Sequence, residues 1–272
     1  MKSELFDTSE ASNNWYRAPH ITEKETIGFE PRWVLQCLVR GISGTGTLSK
    51  ISIKKICSWC AYTDNDGNYH TFGKERLQKN LNILVNAGKI IINQPVRGGC
   101  TTYTINGINK FEPIPDALYY LPLSPEQKGY ILFMLEHNIN NYRKRKGQSY
   151  SDTIAECDYH EADLIGTSHM TMAQIRKIES SLIPYGVLSI EETSKRHSDS
   201  GTPIISRKLD LEKLGLVGRQ VQVNTNFGKQ FDEMYDLIND VATQQLTKSD
   251  VEQIVTEVLV KLETRKQNPQ PK

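Results

Sequence analysis

The residues best suited to chemistry lie close together near position 76. Lys74, Arg76, Gln78, Lys79 and Asn82 are the side-chain types that grip phosphate oxygens and hydrogen-bond base edges in a nucleic-acid groove. Thr71 precedes them, where a hydroxyl and the free N–H groups of a helix start can hold a phosphate. Lys54 and Lys55 upstream and Arg97 downstream add flanking cations. Lysines and arginines on an exposed helix often serve solubility alone, so the distribution of charge has to decide. Residues 28–110 carry 11 Lys/Arg against 4 Asp/Glu, while residues 111–218 carry 12 against 15. The chain as a whole is only +1. One basic segment within a near-neutral chain points to a single module with an anionic partner.

Other constellations fail their own chemical requirements. Cys57-Ser-Trp-Cys60 has a redox or metal spacing, but it falls inside a predicted helix rather than after a strand. His70 and Cys100 are the only further ligands close in sequence, and neither has a paired spacing for structural zinc. Buried thiols are the expectation there, with Trp59 partly exposed. Gly41–Thr47 superficially resembles a phosphate loop, yet it lacks the lysine and leads into a strand. His160-Glu161 has no second histidine at helical spacing. No catalytic grouping stands out, so no enzyme activity, cofactor or metal is expected.

The elements that must position the basic cluster are legible from periodicity. Pro31 suits a first helical turn, and Trp33, Val34, Cys37 and Leu38 predict a helix over 31–40. Thr47–Ile51 is β-compatible. Ile53, Ile56, Cys57 and Cys60 predict a helix over 52–61, followed by a turn at Thr63–Asn68. Leu77, Leu81, Leu84 and Val85 give the third helix its core face from about Gly73 to Asn86, with Thr71 as its cap and Gly88 as its stop. Lys89–Gln94 and Thr101–Ile105 then form a hairpin with Arg97 at its tip.

Residues 111–218 follow the same plan. Ser124-Pro125-Glu126-Gln127 is a capped start for an apolar helix reaching about Asn138. The basic run Arg143–Lys146 reads as a loop, and a second helix is expected over 150–158 with a short segment at Glu161–Ile165. Thr167 or Ser168 is expected to open a helix with Met172, Ile175, Ile178 and Leu182 inward. Val187–Glu192 and Pro203–Leu211 read as strands around a long tip at Ser194–Thr202. At an offset of 98, Leu77, Leu84, Gly88 and Ile90 fall opposite Ile175, Leu182, Gly186 and Leu188, an internal repeat. Leu81 departs, facing Glu179.

The flanks differ. Residues 1–27 are polar and read as a flexible arm, and 219–272 as a helical tail whose apolar stripe in 226–266 either packs on its own domain or serves as a homodimer or partner-docking face. No apolar run approaches the ~20 residues of a membrane span. Five cysteines without a signal segment suggest a reducing, cytoplasmic setting.

The pattern Leu77-x3-Leu81-x2-Leu84-x3-Gly88-Lys89-Ile90, after a helix like Ile53–Cys60, resembles the helix-turn-helix core of the winged-helix superfamily. The resemblance covers 28–107 well and 117–212 loosely. It implies a mainly α protein with small β-hairpin wings (α+β): two tandem winged-helix domains, 28–110 and 111–218, plus C-terminal helices. Tandem winged helices in one chain of this size are similar to plasmid and phage replication initiators and organisers. That resemblance implies double-stranded DNA as partner, with DNA contact carried over to Lys74, Arg76, Gln78 and Lys79, and recruitment of replication proteins. A transcription regulator of the same fold, or an interaction or phage-assembly protein without DNA contact, are the competing readings. The third helix of 111–218 is much less basic, which argues against two equal DNA grips.

Overall fold

The computed structural model describes residues 15–19, 27–41, 47–48, 51–93, 101–106 and 111–216 except 199. Arg97 and the stripe in 226–266 lie outside them. Among the described residues, no helix is long and apolar enough to cross a membrane.

Strand β1 (Trp15–Pro19) lies within the stretch read as a flexible arm. It pairs antiparallel with β7 (Phe111–Pro115), joining the start of the chain to its middle. Between them run α1 (Phe29–Arg40), β2 (Thr47–Leu48), α2 (Ile53–Cys60), a β3–β4 hairpin (Tyr62–Thr63 and Tyr69–His70), α3 (Lys74–Asn86), β5 (Ile90–Asn93) and β6 (Thr102–Ile105). The expected turn at 63–68 is thus the tip of a small hairpin, closed by Asp64 accepting from the Asn68 and Asp66 amides. Ser52 caps α2 by accepting from the Lys55 amide. Thr71 does not cap α3. The cap is Gly73, which has no side chain to use. Gly88 has φ of +67°, a left-handed conformation that lets the chain leave α3 and enter β5.

The second half contains α4 (Ala117–Tyr120), α5 (Pro125–Glu136), α6 (Ile139–Arg145), β8 (Ile154–Tyr159), α7 (Glu161–Ser168), α8 (Met172–Leu182), β9 (Leu188–Arg196) and β10 (Pro203–Asp210). The expected capping box at Ser124 and Gln127 is present. Three expectations are corrected. Arg143–Arg145 end a helix instead of lying in a loop, because Asn138 caps α6. The expected helix over 150–158 is largely strand: Ala155 and Cys157 point inward while neighbours alternate outward, the period of a half-buried strand. The helix expected to open at Thr167 or Ser168 opens at Thr171, where a capping box with Gln174 fixes its start. Thr167 and Ser168 instead end α7.

These corrections sharpen the internal repeat. The two three-stranded sheets run β2-β6-β5 and β8-β10-β9, so each places its last strand in the middle. Ile90 pairs with Ile105 as Leu188 pairs with Leu209. The caps Gly73 and Thr171 keep the offset of 98, and Gly186 repeats the left-handed φ of Gly88 at +68°. At the departing position Glu179 is buried where its counterpart Leu81 is apolar. Arg207, itself buried, donates from Nε to Glu179 at 2.6 Å, and the Tyr130 hydroxyl donates at 3.0 Å. The β-register places Tyr103 opposite Ile92 as Arg207 lies opposite Ile190, so where the first half buries Leu81 and Tyr103 the second buries an ion pair.

The halves share one hydrophobic core, running from Ile27 to Leu216. Its centre is the contact of α1 with α5, two helices buried on nearly every side. Such all-round burial explains their apolar composition. Gly129 makes the close approach possible, because a Cβ there would lie 1.8 Å from the Phe29 carbonyl oxygen. Phe29 meets Tyr130 and Phe133 edge-on. Arg32 on α1 is paired with Glu136 on α5. Lys128 is buried against Trp33 and donates to the Tyr119 carbonyl at 2.9 Å.

Candidate nucleic-acid interface

Helix α3 is built with one face for the core and one for solvent. Leu77, Leu81 and Leu84 are buried on α1, α2 and the sheet. Lys74, Gln78, Lys79 and Asn82 are exposed on the other side. The Gln78 amide donates to Asn82 at 3.1 Å, one helical turn away, which orients both as a hydrogen-bonding pair. Lys54 and Lys55 are exposed in the first turn of α2, and Thr71 is exposed just before α3. Because Gly73 offers no cap, the first-turn N–H groups of α3 receive no side-chain acceptor from it.

Arg76 is placed differently from its neighbours. Its guanidinium lies over the Phe72 ring and makes ion pairs with Glu30, at the start of α1, and Glu126, at the start of α5. Asn80 completes the cluster by donating to Glu30. Burial pushes the Glu30 carboxyl up, but hydrogen bonds from Arg76 and Asn80 outweigh it and hold it below the ordinary value. Burial and the neighbouring Glu30 push Glu126 the other way. Arg76 therefore joins three helices, and its charge is spent within the fold. Sequence periodicity marked it as outward because it flanks the leucine stripe. The signal that would have marked it as paired is the set of acidic residues in the first turns of α1 and α5.

The cations of the second half are more heavily paired. Arg176 on α8 lies 2.8 Å from Glu161, Arg143 is paired with Glu156, and Lys195 lies 2.7 Å from Asp158. Lys177 is exposed on α8, and Gln174 is held in the capping box. A cleft of about 740 Å³ separates the two repeat helices. Lys79, Asn80 and Ile83 of α3 line one side, and His169, Met170 and Gln174 at the start of α8 line another.

Cys100 lies outside the described residues, and the described cysteines behave as packing groups. Cys37, Cys57, Cys60 and Cys157 are free thiols. Burial raises Cys57, while a hydrogen bond with Cys37 and burial raise Cys60, which disfavours the thiolate needed for redox or metal chemistry. His70 is engaged with Asp64 at 2.6 Å and stacks on Tyr62. Trp59 is half-buried, with its ring closed over Gly41, where a Cβ would meet it at 2.6 Å. That contact accounts for the first glycine of the loop that resembles a phosphate site.

No protein-family model matches this chain, and no curated protein matches it in sequence.

Proposed function

We propose that this is a non-enzymatic tandem winged-helix protein whose first half binds double-stranded DNA through α3. The observation that carries the reading is the repeated helix–strand–helix–helix–hairpin plan with its common sheet order, combined with an exposed polar and cationic face on α3. In a helix-turn-helix arrangement the third helix enters the major groove and the preceding helix meets the backbone. Lys74 and Lys79 then contact phosphates, and Gln78 and Asn82 reach base edges. Lys54, Lys55 and the start of α3 beside Thr71 face the backbone. Arg76 is a positioning residue in this scheme.

The sequence resemblance to plasmid and phage initiators supports a role in starting or organising replication, with replication proteins as partners. Pairing of the second half's cations supports an unequal arrangement, in which α3 leads and the second half contributes little to DNA affinity.

The test is fluorescence anisotropy of labelled duplex DNA, titrated at several salt concentrations with wild type and Lys74→Glu/Lys79→Glu. Wild-type affinity should fall steeply with salt, with a logarithmic slope near −0.9 per phosphate contact. The double variant should lose at least roughly tenfold in affinity and show a slope shallower by about two contacts. Absence of wild-type binding at low salt, or an unchanged slope in the variant, overturns the reading.

A further inference from the structure

Beside the tip of the β9–β10 hairpin, three side chains from separated positions converge. His160 is the N-cap of α7, Asp163 lies in its first turn, and His197 follows β9. One ligand-type atom of each lies within 4.8 Å of the other two. The two imidazoles stack with centroids 4.5 Å apart, and His197 Nε2 is 3.7 Å from Asp163 Oδ2.

Each imidazole already has one nitrogen held by a hydroxyl of the hairpin turn. His160 Nε2 lies 2.5 Å from Thr202 Oγ1, and His197 Nδ1 lies 3.2 Å from Ser200 Oγ. Of the opposite nitrogens, His197 Nε2 faces Asp163. His160 Nδ1 is shielded from solvent and has no hydrogen-bond partner, an arrangement that costs free energy unless something occupies it. A metal-ligating histidine has this pattern: one nitrogen faces the ion, and a second partner fixes the ring through the other.

We propose that His160, Asp163 and His197 form a binding site for a divalent transition-metal ion of the zinc or cobalt kind, with solvent completing the coordination. Two imidazoles and one carboxylate suit such ions, whereas magnesium and calcium favour oxygen ligands throughout. Bonds of about 2.1 Å place tetrahedral ligand atoms roughly 3.4 Å apart. Binding therefore draws the three side chains together and ties the hairpin tip to the start of α7. The three ligands are distinct from the residues assigned to DNA, so the site stands or falls independently of that reading.

Untagged full-length protein, stripped with a chelator, would be titrated with cobalt(II) and followed by its visible absorption, then displaced with zinc(II). The expected result is one ion per chain, with zinc also raising the thermal unfolding midpoint. His197→Ala and Asp163→Ala should each weaken binding roughly tenfold or more and abolish the thermal shift. Asp163 is exposed and His197 partly exposed, and circular dichroism checks that the variants remain folded. Lack of saturable cobalt or zinc binding at micromolar concentrations overturns the proposal. Binding that persists unchanged in both variants does so too, because it places the ion elsewhere.

Discussion

Lys128 shows how far a single residue can be from what its type suggests. A lysine among the apolar residues of a helix reads as a solvent-facing interruption, yet it is buried between α1 and α5 with Trp33 against it and one carbonyl partner. Burial pushes its ammonium down to about 8 from an ordinary 10.5. The unfolded chain holds this proton up to about pH 10.5 and the folded chain releases it near 8, so the unfolded state binds more protons across that interval. Stability should rise with pH between about 8 and 10.5. Lys128→Met should flatten that rise relative to wild type, by at most on the order of 3 kcal/mol. Urea unfolding at pH 7 to 10 measures the difference between the two proteins; parallel pH profiles would contradict the account. Arg76 carries a related lesson. Lys74, Gln78, Lys79 and Asn82 were legible as an outward face because helical period alone places them. The pairing of Arg76 depends on Glu30 and Glu126, distant in sequence, and period carries no information about such partners.

Most elements of the first half were readable because their starts and stops have local causes, although Gly73 rather than Thr71 caps α3 and β1 needs its distant partner β7. The leucine stripe, Gly88 and the turn at 63–68 all act within a few residues. The second half misled where local signals competed. Residues 150–158 are rich in polar groups, and their strand character lies only in the alternation of Ala155 and Cys157 with outward neighbours. Thr167, Ser168 and Thr171 are all acceptable caps, and tertiary packing selects Thr171. The α1–α5 contact was beyond local reading altogether. It rests on Gly129, an unremarkable glycine in sequence, whose missing side chain leaves room for the Phe29 backbone. Gly129→Ala should destabilise the fold by about 3 kcal/mol or more, since the obstructing atoms belong to backbone rather than to a movable side chain. Chemical denaturation measures this directly. A loss below about 0.5 kcal/mol, within the range of ordinary surface substitutions, would show that the helices do not approach so closely.

At the scale of the whole molecule, one plan recurs with unequal surfaces. The offset of 98 relates the caps, leucines and glycines of α3 and α8, and both sheets share one strand order. The surfaces have diverged: α3 presents Lys74, Gln78, Lys79 and Asn82, while cations of the second half are engaged with Glu161, Glu156 and Asp158. The uneven charge of the sequence foreshadowed this asymmetry, although the shared core that binds the halves into one body was not visible in it. On the proposed function, α3 meets duplex DNA and α8 does not meet it on equal terms. Asn82 and Ser180 are exposed counterparts under the repeat, so each can carry a photo-reactive side chain without disturbing the core. The decisive measurement is photo-crosslinking of the two variants to duplex DNA at low salt. A strong crosslink is expected from position 82 and a much weaker one from position 180. Crosslinking from 180 alone, or from neither position, would contradict it.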